Sequence, residues 1–353
     1  MADLCYGLRD SNVAVSCVVA NSSYRDEVDY THKFPVYKMG SLGQFFSTPL
    51  SKNYIKMAGN FDADLIHVHL PNPLATVSLM NSRTPFVVTY HCDVLSYPLL
   101  NKLYEPITKS LLKKARAIIV SSVQTRDYSY ALRDFQGKIK VIPFGVCSKD
   151  FELNSNSQSV YEWLKLKYPK RVFVFAGRLV KYKGLQNLLY AMKNVRGSLL
   201  IVGDGPEKNK LKKLTKQLRL DSKVRFFENT DRSVLGAFYR ASDAVVLPSI
   251  DKREAFGICL IEALSCGKPL VTTRIDSGVQ SVNIHNQTGL VVPPQNQEAL
   301  SQALNSLLED TSQLKRLSQG AKVHFERNFG RDRMIKSHMD IYRKVLFKSP
   351  LHK

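Results

Sequence analysis

The chain has 353 residues, 44% of them hydrophobic, enough for two ordinary domains, each with its own core. Lysine and arginine number 51 against 30 aspartate and glutamate, and the net charge of +21 predicts attraction to phosphorylated ligands, an acidic membrane surface or nucleic acid. Zinc-finger spacing, RNP-like aromatic motifs and an isolated basic tail are missing, which argues against a nucleic-acid reader, and no run of about 18 apolar residues could span a membrane.

The start, MADLCYGLRDSNVAV, lacks the basic opening and apolar core of a secretory signal. Cys5, Cys17, Cys92, Cys147, Cys259 and Cys266 are scattered with no C-x-x-C pair, so reduced thiols and a cytoplasmic location are expected. The basic charge reads equally well as a solvated surface that aids solubility.

Short β-branched runs alternate with longer amphipathic stretches, the pattern of β-α units and parallel sheets. Strands are predicted at 13–20, 64–70, 85–91, 116–122 and 140–145. The stretch from Pro98 to Lys114 predicts a helix with Leu99, Leu103, Ile107, Leu111 and Leu112 on one side and Lys102, Lys109, Lys113 and Lys114 on the other. The serine- and asparagine-rich interval KDFELNSNSQSV (149–160) reads as a linker. Beyond it, strands are predicted at 171–177, 198–205, 223–228, 244–249, 269–274 and 289–293, and helices at 184–195, 206–220, 231–241 and 257–266. A succession of helices runs from Gln297 to about Leu346. The resulting division is 1–150, 151–328 and a closing helix within 329–353 that returns toward the first domain.

Ligands of doubly wound sheets sit beyond the carboxyl ends of the strands, and the unusual polar residues fall there. In FAGRLVKYKGLQNLL (175–189), Arg178 and Lys183 follow a strand ending at Gly177 and precede a helix N-terminus, an arrangement suited to a diphosphate; an ordinary basic loop would look the same. In SIDKREAFGICLIEALSCGKP (249–269), Glu254 and Glu262 lie eight apart around Gly257, which opens a helix. Glu262 interrupts an apolar helix face and needs a partner, either ring hydroxyls of a ligand or a salt bridge. Gly203 and Gly205 of VGDGP allow close backbone approach. In the first half His91 and Asp93 close a strand, where His91 could bond a substrate hydroxyl or serve structure alone. His67 and His69 share a strand face, but no third ligand is near and no metal site is expected; Asp62 and Asp64 read as ordinary polarity before a strand.

Taken in order, HVHLPNPLA, PFVVTYHCDV, VIPFGV, FAGRLVKYKGL, LIVGDGP, REAFGICLIEALSCGKPLVTT and TGLVVPP resemble the family 4 glycosyltransferases of the GT-B fold over nearly the whole chain. The resemblance implies an α/β protein of two facing Rossmann-like domains with the active site in the cleft between them. It implies a retaining, metal-independent transferase with no cofactor. Arg178 and Lys183 would hold the donor diphosphate beside Gly177 and Gly203, and Glu254 would contact the transferred hexose near the backbone of Phe256 and Gly257. Glu262 would grip the ribose, and the base would lie near Arg225 and Phe227, although Glu228 stands where the family has glycine. His91 would touch the sugar, with Asp93 and Lys102 on the acceptor side.

The family pattern opens with a strand and a glycine-rich loop that MADLCYGLRD does not contain, so a truncated first domain is expected. The wording VTYHCD and HLPNP most resembles bacterial mannosyl- and hexosyltransferases of surface polysaccharide synthesis, which favours GDP-mannose over UDP-hexoses, a glycan or lipid-linked acceptor, and Lys102, Lys109, Lys113 and Lys114 seated on the anionic inner face of a membrane. The alternatives are a catalytically silent nucleotide-sugar-binding relative and a nucleotide-sugar epimerase of the same architecture.

Overall fold

The computed structural model describes residues 1–21, 23–45, 48–93, 98–169 and 171–347. They divide into two compact units, Met1–Pro143 with the segment from Arg331, and Phe144–Gly330.

The first unit runs α1 (Ala2–Asp10), β1 (Cys17–Ala20), β2 (Glu27–Asp29), β3 (Val36–Met39), β4 (Gln44–Phe45), β5 (Thr48–Pro49), α2 (Lys52–Gly59), β6 (Ile66–Leu70), α3 (Pro73–Ser78), β7 (Phe86–Tyr90), α4 (Pro98–Lys114), β8 (Ala117–Val120), α5 (Val123–Tyr128) and β9 (Ile139–Val141). Strands β6-β7-β8-β9 form a parallel sheet in that order, and β1-β3-β2 form a second, mixed one. Alternation along β7 serves both faces of the parallel sheet. Val88 packs with Leu111, Leu112 and Leu132, while Val87 packs with Leu4, Leu8, Met334 and Ile335. Of the apolar stripe predicted on α4, Leu111 and Leu112 are fully buried but Ile107 is 40% exposed.

The second unit runs α6 (Ser155–Lys167), β10 (Val172–Ala176), α7 (Leu185–Met192), β11 (Ser198–Val202), α8 (Lys208–Gln217), β12 (Val224–Phe227), α9 (Arg232–Ala241), β13 (Ala244–Leu247), α10 (Ile258–Ser265), β14 (Leu270–Thr273), α11 (Val279–Val282), β15 (Gly289–Val292), α12 (Gln297–Glu309) and α13 (Thr311–Asn328). Helix α14 (Arg331–Phe347) then belongs to the first unit, where Gly7 of α1 lets it approach; a Cβ there would lie 2.4 Å from Ile335 Cγ1. The sheet order is β12-β11-β10-β13-β14-β15, all parallel. Sequence order reverses between β10 and β13, so this is the switch point of a Rossmann-like sheet, and the loops leaving these two strands open a crevice there. Every residue of β10 and β13 is buried, as expected of strands covered on both faces.

The interval read as a linker is structured. A 3₁₀ turn spans Ser148–Phe151, and α6 starts inside the polar run. Asn154 and Ser157 form a reciprocal capping box, so the residues that suggested a flexible connection are helix-start chemistry.

Helix α9 passes so close to that turn that a Cβ at Gly236 would lie 2.2 Å from the Phe151 carbonyl oxygen. Gly236→Ala should therefore lower stability by about 2 kcal/mol in urea denaturation, because overpacking against a backbone atom outweighs the helix propensity that alanine adds.

Candidate active site

In the second unit the loops after β10 and β13 are tied together. Ile250 N–H donates to Tyr182 O at 2.8 Å, and Gly184, at φ 71°, lies where a Cβ would be 2.0 Å from Pro248 O. Only glycine meets both demands, and it also opens α7. The same contact brings Lys183 Nζ to 2.5 Å from Glu254 Oε2, which also accepts from Ser249 Oγ at 3.0 Å. Both ionic groups are shielded, Lys183 being 9% and Glu254 6% exposed. Burial works against the ammonium, but Cys259 and Glu254 more than offset it and hold the Lys183 pKa above its usual value. The Cys259 thiol is itself pushed up to about 12 by burial.

Arg178 behaves differently. It is exposed, and its side chain makes no hydrogen bond or ion pair among the described residues, although it sits four residues from Tyr182 on the same loop. Its neighbours explain the Gly-Asp-Gly turn. A Cβ at Gly203 would lie 2.1 Å from Gly177 O, and one at Gly205 would lie 2.5 Å from Leu179 O. Both glycines let the loop after β11 pack on the loop that carries Arg178, and Leu179 N–H donates to Asp204 O at 2.8 Å.

Gly257, at φ 78°, opens α10, and Phe256 before it packs edge-on against Phe144 and Phe329. On α10, Glu262 Oε2 accepts from Tyr239 OH at 2.9 Å. Burial and the Glu262 carboxylate push the Tyr239 phenol well above its usual pKa, so it remains a donor. At the end of β12, Arg225 is exposed, Phe227 packs against Phe238 and Trp163, and Glu228 pairs with Lys208 at 2.6 Å.

Ser249 and Tyr239 were not singled out from the sequence. Ser249 could have been, since it closes the predicted strand 244–249, five residues before Glu254; Tyr239 lies in an ordinary amphipathic helix and carries no signal.

The first unit gathers a second polar group. His67 Nδ1 meets Tyr342 OH at 2.6 Å and its Nε2 meets Thr89 Oγ1 at 2.7 Å, while His69 Nδ1 meets His91 Nε2 at 3.0 Å. The rings succeed one another: His338 to His67 at 5.7 Å, His67 to His69 at 4.7 Å and His69 to His91 at 5.2 Å. Burial is the leading cause that lowers all four: His67 well below the ordinary value, His69 to about 3, His91 to about 4, and His338 in the same direction. Asp93 clasps the end of β7 to a later segment, accepting from Tyr90 OH at 2.8 Å, Ser129 Oγ at 2.6 Å and Tyr130 N–H at 3.2 Å. The Lys102 side chain lies outside the described residues. Lys109 pairs with Glu105 and Asp134, and Lys114 donates to the Met80 carbonyl.

Glu254→Gln should cost about 3–5 kcal/mol in urea unfolding by stranding a buried ammonium, and Lys183→Met with Glu254→Leu should recover most of that loss. Unfolded histidines protonate near 6.5, whereas folded His69 and His91 stay neutral to about 3 and about 4, and His67 and His338 are lowered in the same direction. Stability should be complete above about pH 6.5 and fall by about 1.4 kcal/mol per pH unit per group as pH drops through that window, a slope that His67→Gln should make shallower.

Comparison with known proteins bears on the family and the fold. Residues 1–149 match the family model "Glycosyltransferase Family 4", and residues 163–324 match "Glycosyl transferases group 1". O-antigen chain mannosyltransferase C of Escherichia coli is 31% identical over 86% of this chain and 82% of its own length. The D-rhamnosyltransferase WbpZ of Pseudomonas aeruginosa is 33% identical over 80% of this chain and 74% of its own. Among solved structures, sucrose-phosphate synthase of Thermosynechococcus elongatus shares the fold with a TM-score of 0.82 at 22% identity, covering 98% of this chain and 92% of that one. Anabaena Alr3699/HepE, solved with UDP and glucose, does so with a TM-score of 0.78 at 20% identity, covering 96% and 95%. A Rossmann-like sheet whose switch point carries the group 1 motifs, and two relatives above 30% identity along most of their length, lead to one assignment: the chain belongs to the family 4 glycosyltransferases of the GT-B fold, enzymes that transfer a sugar from a nucleotide-sugar donor.

Proposed function

We propose that this chain is a retaining, metal-independent hexosyltransferase that moves mannose from GDP-mannose to a glycan or lipid-linked acceptor during surface polysaccharide synthesis. The observation that carries the choice of sugar is the 31% identity to the O-antigen mannosyltransferase over 82% of its length. In this reading Arg178 and the N–H groups opening α7 receive the donor diphosphate beside Gly177 and Gly203, and Lys183 adds its charge while paired to Glu254. Glu254 and the backbone of Phe256 and Gly257 face the hexose. Glu262, oriented by Tyr239, meets the ribose hydroxyls, with Arg225 and Phe227 beside the base. His91 contacts the transferred sugar, and Asp93 and Lys102 border the acceptor.

Departure of the nucleotide places negative charge on the diphosphate, where fixed cations and helix N–H groups stabilise it most in the transition state. Retention follows if the acceptor attacks from the leaving-group face and the departing phosphate takes its proton. Docking to the inner membrane face belongs to the same reading. Among the described lysines of the α4 polar side, Lys109 and Lys114 already have protein partners, which leaves exposed Lys113 as the one directed wholly to solvent. No helix among the described residues is long and apolar enough to cross a membrane.

A D-rhamnosyl donor is the second reading, favoured by the 33% identity to WbpZ. D-Rhamnose is mannose without its 6-hydroxyl, so a site that bonds that hydroxyl would separate the two donors strongly.

Denaturation in the presence of GDP, UDP, ADP and their hexose conjugates tests the donor. GDP and GDP-mannose at a hundred times Kd should stabilise the protein by ~2.7 kcal/mol, and Glu262→Ala should abolish the effect. A response confined to uridine nucleotides would replace the donor, and transfer that stops on adding a chelator would remove metal independence from the reading.

A further inference from the structure

Ser249 has no assigned part in the reaction, yet it stands just past β13 at the switch point and is 1% exposed. Its backbone is held from three directions. Pro248 O lies against Gly184, Ile250 N–H donates to Tyr182 O at 2.8 Å, and Ser249 O accepts from the Thr273 hydroxyl at the end of β14. The residue and both its neighbours are thus pinned by the segments that follow the adjoining strands, and its hydroxyl hangs from a fixed point. The carboxylate it meets is less constrained by its own chain. Glu254 lies across a short turn, its N–H donating to Asp251 O at 3.2 Å. The terminal torsion of a glutamate is broad and nearly two-fold, so covalent geometry does not choose which oxygen faces which partner. Two donors make that choice. Ser249 Oγ donates to Glu254 Oε2 at 3.0 Å, and Lys183 Nζ meets the same oxygen at 2.5 Å. The other oxygen, Oε1, has no hydrogen bond or ion pair among the described residues. The group sits at the carboxyl end of β10, where Lys183 Nζ lies 3.8 Å from the place a Cβ on Gly177 would take.

We propose that Ser249 is a positioning residue for Glu254: by donating to the oxygen that Lys183 also holds, it fixes the carboxylate so that Oε1 is left for a hydroxyl of the transferred hexose. This rests on the reading that Glu254 faces the hexose. The ammonium alone would not achieve the same result. Without the serine hydroxyl the carboxylate can turn both oxygens toward Lys183, and the oxygen meant for the sugar is drawn to the ammonium instead. An acceptor held in place before the ligand arrives needs no reorientation when the sugar binds or reacts. The diphosphate does not depend on this arrangement, because in the same reading Arg178 and the N–H groups opening α7 receive it. Loss of the Ser249 hydroxyl is therefore felt by the sugar half of the donor and not by the nucleotide half.

Two measurements on the full chain test this. The first is urea denaturation of Ser249→Ala in two backgrounds. In the wild type it should lower the midpoint by about 0.5 M; where Lys183→Met and Glu254→Leu have removed both charges it should leave the midpoint unchanged or raise it, because there the buried hydroxyl has lost its acceptor. The second is calorimetric titration with GDP and GDP-mannose. Ser249→Ala should keep the GDP Kd within about twofold of the wild type and weaken GDP-mannose by about tenfold. UDP and UDP-glucose are run in parallel, and the pair that binds the wild type is the one followed. Glu254→Gln is titrated alongside; should it not fold, the Lys183→Met, Glu254→Leu protein takes its place, read by the ratio of the two Kd values. An equal drop in urea midpoint in both backgrounds means that the hydroxyl does not act through Glu254, and the proposal falls. It falls also if Ser249→Ala treats nucleotide and nucleotide sugar alike while loss of Glu254 weakens the sugar conjugate selectively. If loss of Glu254 does not separate the two ligands, or neither pair binds the wild type, the donor-site reading falls instead, and the urea comparison alone decides whether Ser249 holds the carboxylate.

Discussion

The second unit is organised around one buried ion pair. Lys183 and Glu254 meet where the loops after β10 and β13 are forced together, and neither charge would be tolerated in that position alone. The pair dictates much of what surrounds it. Gly184 must be glycine for the loops to approach, Ser249 must supply a further hydrogen bond, and Arg178 stays on the outer part of the same loop, open to solvent. In the donor site proposed above, one cation is thus already balanced within the fold. The buried pair ties the two loops together, and Arg178 is left exposed beside it.

The sheet topology explains why these residues could be identified from the sequence. Short β-branched or aromatic runs such as VFVFA and AVVL, with ends marked by glycine, proline and charged residues, read as strands covered on both faces. Since β10 and β13 flank the switch point, the motifs at their carboxyl ends converge in space although some seventy residues separate them in sequence. The glycines of the Gly-Asp-Gly turn were legible as positions of close approach, but what they approach, the loop through Gly177 and Leu179, was not.

The misreadings have common physical causes. Asn154 and Ser157 looked like a flexible connection because the residues that cap a helix are the residues that build turns; only the backbone distinguishes the two uses. The partners of Glu262 and His67 were hidden for another reason. Tyr239 and Tyr342 sit on helices with ordinary amphipathic patterns, and Tyr342 lies 275 residues from the histidine it bonds. Local pattern reports which face of a helix is buried and says nothing about which polar group awaits it there. The histidines show the same limit: no metal site was expected of His67 and His69, but that both nitrogens of His67 serve as bonds within the fold could not be read from the strand.

The division of the chain has a consequence for how the protein is made. Phe144–Gly330 is continuous, so all of its strands and helices are synthesised before α14 is. The first unit is not continuous. The face of its sheet formed by Val87 and Ile119 is covered by Leu4 and Leu8 from one end of the chain and by Met334, Ile335, Tyr342 and Val345 from the other. Although its strands are synthesised first, that apolar face lacks the α14 part of its cover, and His67 lacks Tyr342, until α14 is made. The usual vectorial order, in which the N-terminal domain folds first, is thereby inverted, and the early half of the nascent chain is the half that depends on protection from aggregation.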